Sequence, residues 1–94
     1  MPAAEQQCAL CGSRTLLTFH HLIPRTLHRN KWFRKNFELT DMRERGIVVC
    51  RRCHSFIHRQ FDEKQLGREF NTLAKLLANE AVVRHSQWSK KHRH

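Results

Sequence analysis

The sequence predicts a small α+β domain: two short strands and a helix make a core, and further helices follow. Three observations carry this expectation. The chain has 94 residues, 39% of them hydrophobic, which is the size of one domain with a thin core. Its four cysteines fall into two pairs of identical spacing, Cys8/Cys11 and Cys50/Cys53. Short apolar and β-branched runs precede His21 and Cys50, whereas beyond Cys53 the apolar residues recur at helical spacing. The whole chain, 1–94, reads as a single domain with a core over 8–61 and a helical extension with a basic tail over 62–94.

In chain order, residues 1–7 read as a loose tail. Cys8-Ala-Leu-Cys11 is a tight turn, and Gly12 supplies the positive φ such a turn requires. Thr15–His21 is a strand, which Pro24 ends. Residues 25–45 form a connection too long to lack structure of its own, so one or two short helices are expected in it. Thr40, Asp41 and Glu44 suggest a helix start and Gly46 a stop. Ile47–Cys50 is the second strand, and Cys50–Cys53 the second turn. Residues 52–61 follow as a helix, with His54 and His58 on one face and Ile57 and Phe61 on an adjacent one. Asp62 is an N-cap for a third helix carrying the stripe Leu66, Phe70, Leu73 and Leu77. Asn79 caps either its exit or the start of another helix over 80–91, and residues 89–94 form the basic tail.

The paired cysteines point to a metal. Two residues between cysteines let both sulfurs of a turn reach one ion, and two such turns make a closed tetrahedral site of four thiolates, the usual setting of structural zinc. Met1 is followed by neither a basic start nor an apolar run, and no stretch has the ~20 apolar residues of a membrane span. A cytoplasmic protein without a membrane partner is therefore expected, in a compartment where thiols stay reduced. The net charge is +10, from 18 Lys and Arg against 8 Asp and Glu, with His counted neutral. A small domain of that sign attracts polyanions, among which nucleic acid is the commonest partner.

The gap between the cysteine pairs, residues 12–49, is wider than the ~15–20 residues of a zinc ribbon, and histidines frame it. His20 and His21 end the first strand, while His54 and His58 follow the second pair. Closure of the cysteine site would bring the two sets together. Neighbouring strand residues point to opposite sides, so one of His20 and His21 can ligate a metal while the other faces a substrate. The i, i+4 pair suits chelation, and three imidazoles leave open positions, the layout of a catalytic metal site. His28, His85, His92 and His94 read as surface residues.

The motifs His20-His21-Leu-Ile-Pro24 and Cys50-Arg-Arg-Cys53-His54-Ser-Phe-Ile-His58, with Cys8-x-x-Cys11 upstream, resemble the HNH (ββα-metal) nucleases, in the branch whose core is closed by a four-cysteine zinc. The resemblance covers residues 8–61. It implies a ββα-metal core and a DNA endonuclease that hydrolyses phosphodiesters to 3′-hydroxyl and 5′-phosphate ends. It further implies His20, His54 and His58 as ligands of a single catalytic metal and His21 as general base. The family's middle Asn has no counterpart in Met42–Ile47. Arg45 or Asp41 would stand in, or Asn30 or Asn36 would reach back.

An all-imidazole shell favours Mn²⁺, Co²⁺, Ni²⁺ or Zn²⁺ as the catalytic ion, with Mg²⁺ serving at high concentration. Arg25, Arg29, Lys31, Arg34, Lys35, Arg51, Arg52 and Arg59 are candidates for gripping the phosphates of double-stranded DNA, with affinity but little sequence choice. Each could equally belong to a solvated basic face. Trp32 is expected to pack on the core. A homodimer would supply the two active sites that cutting both strands needs. The competing reading is a zinc-binding nucleic-acid module without catalysis, which leaves the histidines unexplained.

Overall fold

The structure, a computed structural model, describes residues 6–92. Most of the expected N-terminal tail and the last two residues of the basic tail lie outside them. The described chain has mixed helix and strand, in the order β1 (Leu17–His21), a 3-10 turn (Arg25–Leu27), α1 (Lys31–Asn36), α2 (Leu39–Glu44), β2 (Gly46–Cys50), α3 (Arg51–Gln60), α4 (Glu63–Glu69), α5 (Leu73–Leu77) and α6 (Glu80–Lys91). The strands form a two-stranded antiparallel sheet in which Thr18 pairs with Val49, His20 with Ile47 and His21 with Gly46. Sheet and α3 pack together, with α6 against α3.

The expected strand start at Thr15 moves to Leu17 because Leu16 takes a left-handed φ of 53°, which no strand accommodates. Gly12 has the expected positive φ, 78°, and the first cysteine turn docks on β2 through Ala9 N–H donating to the Val48 carbonyl at 2.8 Å. The second cysteine pair is not a separate turn. Cys50 closes β2 and is the N-cap of α3, so Cys53 lies in the first turn of that helix.

The connection holds two short helices, as expected, and a second small core beneath them of Ile23, Leu27, Phe33 and Met42. Asn30 caps α1 by accepting from the Trp32 and Phe33 amides. The main core surrounds the four cysteines with Leu10, Val49, Ile57, Leu66, Leu76 and Val82. Cysteines that staple strand to helix at the centre of the core explain how so short a chain buries a continuous interior.

The extension departs from its expected pattern. Asp62 is an N-cap, in a capping box with Gln65, but the Leu66–Leu77 stripe does not lie on one helix. Asn71 turns its side-chain amide onto the Gly67 carbonyl at 2.9 Å, and the Thr72 hydroxyl accepts from the Lys75 amide. These local bonds end α4 and start α5. Leu76, fully buried, therefore takes the inward position, and Leu77 is exposed. Asn79 starts α6 rather than ending α5. The basic tail is helical through Lys91, with Ser89 buried inside. No helix of the described residues is long and apolar enough to cross a membrane.

Candidate metal centre

Two clusters of potential ligands are assembled from the N-terminal turn, β1, the end of β2 and α3. In the first, Cys8, Cys11, Cys50 and Cys53 are all buried, and their sulfurs lie within 4.8 Å of one another. Cys11 Sγ and Cys50 Sγ are 3.6 Å apart. Four sulfurs around an ion at the Zn–S distance of ~2.3 Å would be spaced by about 3.8 Å, so the cluster fits a metal ion such as zinc without rearrangement. The hydrogen bond from Cys53 lowers the Cys8 thiol pKa, and the same bond, with burial, raises that of Cys53. The Ser89 hydroxyl stands 3.9 Å from Cys53 Sγ, which ties α6 to the cluster.

The second cluster is His20, His54 and His58, with one ring nitrogen from each within 4.8 Å of the others. Ring centroids are 5.2 Å apart for His20 and His54, 5.3 Å for His20 and His58, and 5.0 Å for His54 and His58. His20 comes from β1 and the other two from successive turns of α3. His20 is 0% exposed, and among the described residues neither of its ring nitrogens has a hydrogen-bond partner. Such burial costs ~1–3 kcal/mol unless something meets the nitrogens. Burial first, and then His54, His58 and His21, hold the His20 pKa at about 3. Burial, followed by His58 and His21, also lowers that of His54. The imidazoles of His20 and His54 are thereby kept neutral, the form that ligates a cation.

Thr18 completes this cluster and was absent from the sequence reading. Its hydroxyl donates to the Val49 carbonyl at 3.0 Å and lies 2.8 Å from His54 Nδ1. A hydroxyl has one proton. With that proton on Val49, Nδ1–H of His54 is the donor, and Nε2 keeps its lone pair for a cation. The signal was present in the sequence, because Thr18 is two residues before His20 and so shares its strand face.

His21 lies on the opposite strand face with Phe19, the two rings edge to face at 4.9 Å. Because it ends β1, it nevertheless lines the same cavity of about 210 Å³ as His54 and His58, with Phe19, Pro24, Arg25, Thr26 and Glu63. Burial first, then His28 and Arg25, lowers its pKa. The loop beyond it is held at two points. Leu22 N–H donates to the Arg45 carbonyl at 3.1 Å, and His28 Nε2–H donates to the Ile23 carbonyl at 2.8 Å. Arg45 therefore touches this loop through its main chain, while its side chain pairs with Asp41 and donates to the Asn71 carbonyl. Asn36 bonds the Trp32 carbonyl, and Asn30 is occupied as a cap. His28, expected at the surface, is buried. His85 is also partly covered, its ring stacked on Phe56 at 4.0 Å.

The basic residues divide into groups. Arg25, Arg29 and Arg34 line a cleft of about 720 Å³ together with His21, Thr26, His28, Leu39 and Arg43. Lys31 and Lys35 border a neighbouring cleft with Arg29, Arg34 and Trp32. Trp32 packs edge-on against the buried Phe33 at 4.8 Å, as expected, yet stays 40% exposed, and it lies under the Arg68 guanidinium at 4.3 Å. Arg51, Arg52 and Arg59 are on α3 and line neither cleft, and Arg52 is engaged with Trp88 and the His92 carbonyl of α6. Comparison of the chain with protein-family models, with curated proteins and with solved structures finds no match.

Proposed function

We propose that this chain is a metal-dependent DNA endonuclease of the HNH type, stapled by a structural zinc and working with a second, histidine-held metal. The observation that carries the reading is His20: a fully buried imidazole with both nitrogens unpartnered, facing two more imidazoles. A protein that had no use for a cation there would place an apolar residue at that position.

His20, His54 and His58 would hold the divalent ion. When bound, it would supply positive charge that offsets the negative charge developing in phosphodiester cleavage. The remaining chemistry belongs to the chain. His21, kept neutral by burial and by the charges of its neighbours, accepts a proton from a water molecule. That water attacks the phosphorus in line, the bond from phosphorus to the 3′-oxygen breaks, and the 3′-oxygen takes a proton from solvent. The products are a 3′-hydroxyl and a 5′-phosphate. The ββα-metal arrangement is supported by the order β1, β2, α3 and by the histidines' positions on β1 and α3. The cysteine cluster, whose four sulfurs would leave a bound ion no open position, suits structural zinc. Two copies of so short a domain would serve to cut both strands of a duplex.

The test is cleavage of supercoiled plasmid by the zinc-loaded chain with Mg²⁺, Mn²⁺ or Ni²⁺, beside His21→Ala. Metal-dependent nicking that falls ~10²–10⁴-fold in the variant is expected of a general base. A folded, DNA-binding protein that nicks with none of these ions would refute the enzyme.

A further inference from the structure

The cleft of about 720 Å³ beside His21 has four guanidinium groups in its lining, Arg25, Arg29, Arg34 and Arg43, and no carboxylate. We infer that this cleft carries the DNA strand away from the scissile phosphate, with its arginines on the phosphates that flank the cut. The inference rests on the reading of the site as a DNA nuclease and adds where the strand runs.

Three features support it. First, the cleft is continuous with the metal cavity, since His21, Arg25 and Thr26 line both. A polymer whose one phosphate lies against His54 and His58 must leave the cavity along some wall, and this wall carries the positive charge. Second, the four arginines are brought together from separate stretches: the 3-10 turn, the segment after it, α1 and α2. All four are exposed, and among the described residues none forms an ion pair with an acid. Their mutual repulsion is therefore unrelieved within the chain and would be relieved by a string of anions. The planar guanidinium forks match phosphate oxygens two at a time. Third, the volume lies in the ~300–1,000 Å³ range of pockets that take molecules rather than ions, which leaves room for sugar and base beside Leu39. Arg43, which linear motif reading passed over, is thereby assigned to substrate binding. Arg52, engaged on α6, is assigned outside it.

The experiment is binding of a fluorescently labelled DNA duplex to the zinc-loaded full chain with no other metal added, followed by anisotropy over a series of salt concentrations. Arg34→Gln/Arg43→Gln is compared with Lys90→Gln/Lys91→Gln, which removes the same charge from exposed positions on α6. The arginine pair should weaken binding by about tenfold or more and lower the slope of log K against log salt by about 2, near one unit per lost phosphate contact. The lysine pair should leave the slope unchanged. Equal slopes for the two variants would overturn the assignment, because charge would then act diffusely. Failure of this inference and of the nuclease reading are separable. A chain that nicks plasmid but shows equal slopes loses the cleft alone. A chain that shows the arginine effect but never nicks loses catalysis alone.

Discussion

Thr18 and His20 are two residues apart on β1 and so share one face of the strand. Both face α3, where Thr18 fixes the tautomer of His54 and His20 stands without a hydrogen-bond partner. Thr18→Val keeps the shape and removes the acceptor for Nδ1–H, so affinity for the second metal should fall by ~10–100-fold. Thr18→Ser should restore it, and calorimetric titration with Mn²⁺ or Co²⁺ into zinc-loaded protein would read both. His20→Leu makes a complementary prediction. Without a second metal it should be as stable as the parent or more so, since an unpartnered buried imidazole is removed. With the metal at a hundred times its Kd, the parent should gain about 2.7 kcal/mol and the variant nothing. Thermal melts with and without added Mn²⁺ would check this, and a gain shared by both proteins would count against the site. At this scale the histidine cluster was legible, because a strand-end pair and an i, i+4 pair are local patterns. Thr18 was legible in principle, by the period of two. His28 was not, since its bond to the Ile23 carbonyl forms only when the connection folds back on itself.

At the scale of elements, one glycine holds the sheet and the candidate base in register. Gly46 opposes His21, and the Phe19 ring lies across it. A Cβ there would come within 2.1 Å of the Phe19 ring and 2.8 Å of the His20 carbonyl. The ring can swing away, but the carbonyl belongs to the sheet. Gly46→Ala should therefore destabilise the fold by ~1–3 kcal/mol, and Phe19→Ala should recover only part of the loss in denaturant unfolding. Full recovery would show that the ring alone sets the constraint. Some element starts were readable, as at Asp62, because capping depends on near neighbours. The broken stripe from Leu66 to Leu77 was not. The four apolar spacings fit one helix, and the outcome turns on whether Asn71 and Thr72 bond the backbone locally, which periodicity does not weigh. The second cysteine pair was misread as a turn for a related reason: two residues between cysteines suit a loop and a helix start equally well.

Over the whole molecule, one metal would hold the fold and the other would do the chemistry. The cysteine cluster joins the N-terminal turn, β2 and α3 and anchors α6 through Ser89, so most of the main core converges on it. Structural zinc in small modules binds with ~10–16 kcal/mol, comparable to the ~5–15 kcal/mol that a whole domain has to lose. Chelation, or Cys50→Ser, should accordingly abolish cooperative thermal unfolding, and a chelated protein that still melts sharply would show that the core stands without the metal. The composition made the charge and its sign plain, but not its distribution, because Arg25, Arg29, Arg34 and Arg43 meet only through the packing of the connection. The central claim is that the histidines form a second metal centre, distinct from the cysteine staple. Metal content per chain, counted by native mass spectrometry after loading with Zn²⁺ and Mn²⁺, tests it most directly. The account predicts two ions in the parent and one in His20→Ala/His54→Ala, and a single ion in both would contradict it and leave a zinc-stapled nucleic-acid-binding module.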